Sequence, residues 1–246
     1  MNPGLLERVL SYLPLLLRGA LVTVETSAAA IIFGFIIGSL LLAMSQDYGQ
    51  AKPFLSRRQR LSGIFVSVYV SFFRGTPLLV QLLMLFYLPT AFGINLPPFP
   101  VAIIAMALNS GAFQTEILRA GLLSVSVGQL EAAGSFGIPK GRAFRFIQLP
   151  QIARAVWPAV VSEAVDVMKS SAIVSVIAVT ELARAGRQIV AGNFRPMEVY
   201  LTMGVIYLTL TGCIYFLGHL LGNRINSGTS KYVNKKVLIG QEETVA

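Results

Sequence analysis

The chain has 246 residues, of which 54% are hydrophobic and 13% charged, about half the charged share of an ordinary globular protein. That balance excludes a soluble domain, because several spanning helices of about 20 apolar residues each would use most of the length. The net charge of +9 does not indicate nucleic acid, since the basic residues fall in the gaps between apolar runs rather than on one face interleaved with aromatics, and the lone Cys213 and lone His219 build neither a disulfide framework nor a metal site.

Residues 5–18, LLERVLSYLPLLLR, are expected to form an amphipathic lead-in at the membrane interface, with Pro14 near its bend. A signal peptide ending in the small residues of LLLRGALVTVETSAAA is set aside, because the longest apolar run follows the supposed cleavage site. The uncharged stretch Thr26–Gln46 is the first predicted span. A polar loop at 45–62 follows, carrying Lys52, Arg57, Arg58 and Arg60. No charge then appears between Arg74 and Glu116, and the prolines and glycine of LPTAFGINLPPFP (88–100) divide that stretch into a second span at 62–88 and a third at 100–121. After a polar segment at 122–155, WPAVVSEAVDVMKSSAIVSVIAV (157–179) is the fourth span, although it carries Glu163, Asp166 and Lys169. Val199–Asn223 is the fifth.

The expected fold is therefore all-α and integral to a membrane. Thirteen of the twenty Lys and Arg residues fall on one side of this five-span arrangement and five on the other, which puts the N-terminus outside and the C-terminus inside. The outer loops are then 88–100 and 180–198, and residues 1–222 make one transmembrane domain followed by a tail at 223–246, expected to be flexible.

The inner segment EAAGSFGIPKGRAFRFIQLPQ, beginning at Glu131, is the most specific feature. Its small residues suit a helical stretch that another surface approaches closely, stopped by Gly137 and Pro139. RAFRFIQL follows as a second short amphipathic piece, with Phe144 and Ile147 apolar and Lys140, Arg142 and Arg145 basic. Glu131, Ala132, Ala133, Gly137, Ile147, Leu149 and Pro150 match, at every spacing, the E-A-A, G and I-x-L-P pattern that this segment resembles: the EAA loop of ABC-importer permeases. FFRGTPLLVQLLMLFY (72–87), NSGAFQTEILRAGLLSVSVGQLEAAG (109–134) and MKSSAIVSVIAVTEL (168–182) are similar to segments of permeases that import polar amino acids, with Ser170-Ser171-Ala172-Ile173 standing where Asp-Thr-Ser-Leu is more common. The likeness extends over roughly residues 15–222.

The resemblance implies a type I importer permease of the bacterial inner membrane, with the N-terminus periplasmic and the C-terminus cytoplasmic. It implies that the loop at about 128–150 is the coupling helix docking on ABC ATPase subunits, that a second permease subunit, identical or related, completes the path, and that a periplasmic or lipid-anchored binding protein delivers an amino acid. The alternative for the basic loop is contact with anionic lipid headgroups alone. No G-x-x-x-x-G-K-[ST] phosphate loop occurs, GIPKGR at 137–142 lacking the Lys and hydroxyl pair, so ATP and Mg belong to the partner ATPase and no cofactor to this chain.

Glu163, Asp166 and Lys169 stand at i, i+3 and i+6, a slanted polar stripe whose neighbours can touch. Ionisable groups at mid-membrane cost at least about 2.5 kcal/mol each, so they face a cavity or a partner. Two carboxylates and one ammonium leave acidic character suited to a basic amino acid (arginine, lysine or histidine), with Ser162, Thr76 and Gln81 as further substrate-lining candidates. The competing reading has Asp166 pairing Lys169 and Glu163 bonding a neighbouring helix, with no contact to cargo. For Thr76, Gln81, Asn109, Gln114 and Glu116 an interhelical hydrogen bond is the commoner role, and Arg74 is expected to snorkel or pair. Gly34–Gly38 and Gly218–Gly222 permit close helix contact without saying with what. Glutamine or glutamate as cargo, and a stand-alone secondary transporter, are the alternatives; the latter lacks the expected internal repeat, and no catalytic constellation marks an enzyme.

Overall fold

A computed structural model describes the backbone of residues 4–45 and 57–242 and the side chains of 6–45 and 60–225. Lys52 and most of the expected 45–62 loop lie outside the described residues. All regular structure among the described residues is helical, in nine α-helices: α1 (Leu5–Ser45), α2 (Arg57–Gly75), α3 (Leu78–Ala91), α4 (Pro98–Leu123), α5 (Val127–Ser135), α6 (Lys140–Ala143), α7 (Leu149–Ser170), α8 (Leu182–Asn193) and α9 (Pro196–Glu242). A π-helical turn, Phe144–Gln148, leads into α7, and a 3-10 stretch, Ser171–Ile177, follows it.

Among the described residues three helical stretches are long and apolar enough to cross a bilayer: Leu6–Ser45, Pro98–Leu123 and Pro196–Ile225. The pair α2 and α3, bent by 107° at its break, makes a fourth if counted as one span. α7 is not among them, since it carries Arg154, Glu163, Asp166 and Lys169 within 22 residues.

Four expectations are corrected. The lead-in at 5–18 is no separate interfacial helix, because α1 continues through Pro14 for 41 residues, about 60 Å against a hydrocarbon core of about 30 Å. Tertiary contacts hold that extension up: Leu16 is fully buried with Leu182, Ala185, Val199 and Met203, and Arg8 donates to both carboxylate oxygens of Glu198, at 2.8 and 3.2 Å.

Second, the 62–88 span is not one helix. Pro77 has no N–H for the carbonyl four residues back, that of Phe73, so α2 ends at Gly75 and α3 starts afresh with Pro77 as its N-cap. Third, α7 begins at Leu149 rather than 157, continuous with the π turn. Fourth, α9 does not stop at Asn223 but runs through to Glu242.

The two glycine pairs receive helices of this same chain. A Cβ on Gly34 would lie 3.0 Å from the Ser110 Cβ and one on Gly38 2.7 Å from the Gln114 Cβ, so the pair seats α4 on α1. Gly218 and Gly222 stand in the same relation to Val161 (2.7 Å) and Trp157 (2.9 Å) of α7. Trp157 adds a hydrogen bond from its indole N–H to the Gly218 carbonyl at 2.7 Å.

Candidate functional site

The break after α2 is sealed by side chains. The Phe73 carbonyl accepts from the Gln81 amide at 2.9 Å and from the Asn109 amide at 3.1 Å. The Gln81 amide nitrogen also lies 2.9 Å from the Thr76 carbonyl and 2.8 Å from the Thr76 Oγ1, while the Gln81 Oε1 accepts from Asn109 at 3.0 Å. Thr76 and Gln81 therefore spend their polar atoms on the broken helix, with Gln81 only 5% exposed.

Asn109 forms one wall of a cleft of about 200 Å³ between α3, α4 and α7, lined also by Leu78, Met106, Phe113, Glu163, Asp166, Val167 and Ser170. Of the expected substrate residues, Glu163 and Asp166 line it; Ser162, exposed on α7, and Thr76 and Gln81 do not. Glu163 Oε1 accepts from the Ser110 hydroxyl at 2.8 Å, and Asp166 pairs with Lys169 at 2.8 Å. Both contacts of the competing, purely structural reading are thus present. They leave capacity unused: an ionised carboxylate offers about four acceptor positions, and the Asp166 side chain is 61% exposed.

One turn further along α4, the Arg74 guanidinium lies 5.3 Å from the centroid of the Phe113 ring and 4.0 Å from Glu116, which also meets Arg119 at 3.4 Å. Arg74 thus pairs at the end of α2, as expected, and stacks on a cleft-lining aromatic. Gln114 differs from expectation, being fully buried with no hydrogen-bond partner for either side-chain polar atom among the described residues.

The seven motif residues are spread over successive elements from α5 to the start of α7. Glu131, Ala132 and Ala133 are on α5, which closes with Gly137 at φ +68°. The Ile138 N–H bonds the Ala133 carbonyl and the Gly137 N–H the Gly134 carbonyl, both at 2.9 Å, the paired bonds of a Schellman ending. Ile147 lies in the π turn, and Leu149 and Pro150 open α7. Phe136, at the end of α5, is 84% exposed and Phe146, in the π turn, 69%, apolar groups at a polar, basic loop as on a protein-docking surface. Sequence reasoning singled out neither phenylalanine as a contact, nor Ser110; the one available signal was Phe136 standing immediately before the turn glycine.

The family described as binding-protein-dependent transport system inner membrane component matches residues 49–227. The chain belongs to that family. It is 32% identical over 216 residues to the arginine transport system permease protein ArtQ of Bacillus subtilis, covering 87% of this chain and 94% of the relative. The L-cystine transport system permease protein TcyB of the same organism is 35% identical over 222 residues, covering 90% and 91%. The glutamine transport system permease protein GlnP of Escherichia coli is 32% identical over 215 residues, covering 87% and 94%. Among solved structures, an amino acid ABC transporter crystallised with histidines superposes with a TM-score of 0.78 at 33% identity, covering 91% of this chain and all of that one. The chain is thus a permease subunit of an amino-acid ABC transporter with the type I importer fold, a multi-pass membrane protein rather than an enzyme, working with a separate ATPase and a substrate-binding protein. The stand-alone carrier is set aside by the same finding.

Proposed function

We propose that this permease carries basic amino acids (arginine, lysine or histidine) through a path whose lining includes the α4–α7 cleft. The observation that carries the reading is the placement of Glu163 and Asp166 on one cleft wall, with the Lys169 ammonium paired to Asp166 alone among the described carboxylates. A guanidinium, imidazolium or ammonium group entering there meets two carboxylates with acceptor positions to spare. Thr76 and Gln81 act through Asn109, fixing the wall opposite, and Ser162 adds a hydroxyl one turn from Asp166.

In this reading the chain spans the bacterial inner membrane five times, counting α2–α3 as one bent span and α7 with its 3-10 end as another, the N-terminus periplasmic and the C-terminus cytoplasmic. Residues 1–222 form the transmembrane domain. A second permease subunit, identical or related, closes the open side of the cleft. Glu131, Ala132, Ala133, Gly137, Ile147, Leu149 and Pro150 shape the surface that docks on a pair of ATPase subunits, which hold ATP and Mg. The binding protein, periplasmic or lipid-anchored, delivers cargo at 88–100 and 180–198.

A neutral polar cargo such as glutamine is the second reading, supported by the likeness to a glutamine permease protein. ATP-driven uptake by the assembled transporter with its binding protein, offered labelled arginine, lysine, histidine, glutamine and glutamate in competition, separates the two. Cation preference is expected; preference for glutamine or glutamate would overturn the first reading.

A further inference from the structure

Between α5, which carries the docking surface, and α7, which carries the cleft carboxylates, the chain runs through α6 and the π turn. That connection is not a regular α-helix. Leu149 N–H bonds the Phe144 carbonyl five residues back, and Pro150 has no N–H to give. The helical ladder is therefore interrupted at the point where movement of the loop would have to enter α7.

A direct contact bypasses the interruption. The Gln151 side-chain amide donates to the Gln129 Oε1 at 2.7 Å and to the Ile147 carbonyl at 2.8 Å. Since a backbone carbonyl only accepts, Gln151 must turn its NH₂ toward Ile147, and that same nitrogen then faces Gln129, which must present its oxygen. Both hydrogens of the Gln151 amide are so used, one on α5 and one on the π turn. The apolar half of the same joint is Val125, just before α5, buried with Ile152 and Val156 of α7. Further along α7, Arg154 donates to the Ile225 carbonyl at 3.1 Å and Trp157 to Gly218 at 2.7 Å, so the inner half of α7 is fastened to α9. From Gln151 to Glu163 is twelve residues of helix, about 18 Å.

We propose that Gln129 and Gln151 are positioning residues for transport: their hydrogen bond is the strut through which displacement of α5 by the ATPase reaches α7 and the cleft. The proposal rests on the reading of α5 as the ATPase-docking element. Neither residue belongs to the seven-residue motif, and neither touches cargo or nucleotide.

The test is uptake per ATP hydrolysed, measured on the assembled transporter with its binding protein in proteoliposomes, with labelled arginine and, in parallel, labelled glutamine as probes. Gln129→Ala and Gln151→Ala are each expected to lower that ratio about fivefold, the effect of one hydrogen bond of ordinary strength. Gln129→Glu keeps the acceptor and is expected to keep the ratio, whereas Gln151→Glu removes the donor and is expected to lose it. Gln129→Glu with Gln151→Lys restores a donor–acceptor pair and is expected to recover most of the ratio; if the alanine variants do not assemble, this pair decides the matter, and an assembled but uncoupled pair counts against the strut. Wild-type ratios in both alanine variants overturn the proposal outright. Retention of the ATPase on tagged permease is read alongside. A Phe136→Asp permease that retained the ATPase as wild type does would remove the docking reading itself, an outcome distinct from full retention with unaltered coupling in the glutamine variants.

Discussion

At the motif loop the backbone makes the surface: α5 ends on Gly137 at φ +68°, and the turn throws Phe136 out to 84% exposure. Its seven motif residues lie within twenty positions, 131–150. The α4–α7 cleft is assembled differently, from Asn109 and Phe113 on one helix, Glu163 and Asp166 on another, and Leu78 at the start of a third. The first is local and survives being read as a string; the second exists only once Ser110 has met Glu163 across 53 positions. The shape of the loop thus depends on the backbone conformation at Gly137, while the cleft depends on which side chains meet across helices.

That contrast is sharpened by paired substitutions. Ser110→Ala is expected to have the largest effect, because hydrogen bonds to charged groups are worth about 1.5–3 kcal/mol. Apparent affinity for cationic cargo in uptake assays should fall roughly tenfold or more, with ATPase retention unaffected. Gly137→Val forces a β-branched residue into the left-handed region at about 1–2 kcal/mol; here ATPase retention should weaken while binding of cargo is spared. If both variants damaged both readouts equally, the two regions would not be separable. Thr76→Val removes one of the acceptors around Gln81 and leaves the Phe73 and Thr76 carbonyls in place, so uptake should change by no more than about threefold.

The smallest effect is expected at the pair Arg8–Glu198, whose side chains are 23% and 18% exposed. A partly exposed ion pair contributes about 0–1 kcal/mol, so Arg8→Gln should lower the Tm of the purified permease by no more than about 4 °C. That difference should shrink as salt is raised; no difference at low salt would show that the ion pair contributes nothing.

Much of the fold was legible because apolar run length is a strong constraint in a bilayer: the 100–121 span became Pro98–Leu123, and the loop motif landed on α5 and the start of α7 with its spacing intact. Two of the misses turn on contacts that no local window contains. Pro77 sits in an apolar run that looks uninterrupted until Gln81 and Asn109 are seen to supply what the proline withholds. Residues 5–18 are amphipathic by pattern, yet Leu16 and Arg8 have partners on α8 and α9 that no local window contains. The stripe Glu163, Asp166, Lys169 was legible as a stripe, but Ser110 and Asn109, which complete its surroundings, carry no signal distinguishing them from any small polar residue in a helix.

The most direct test of the cleft as cargo path is the ratio of arginine to glutamine uptake by the assembled transporter, wild type against Asp166→Asn. Removing that carboxylate while keeping its shape should lower the ratio tenfold or more, roughly the loss of one charge-assisted contact, with ATPase retention preserved. An unchanged ratio, with transport intact, would contradict the assignment and leave Asp166 and Lys169 as a structural pair.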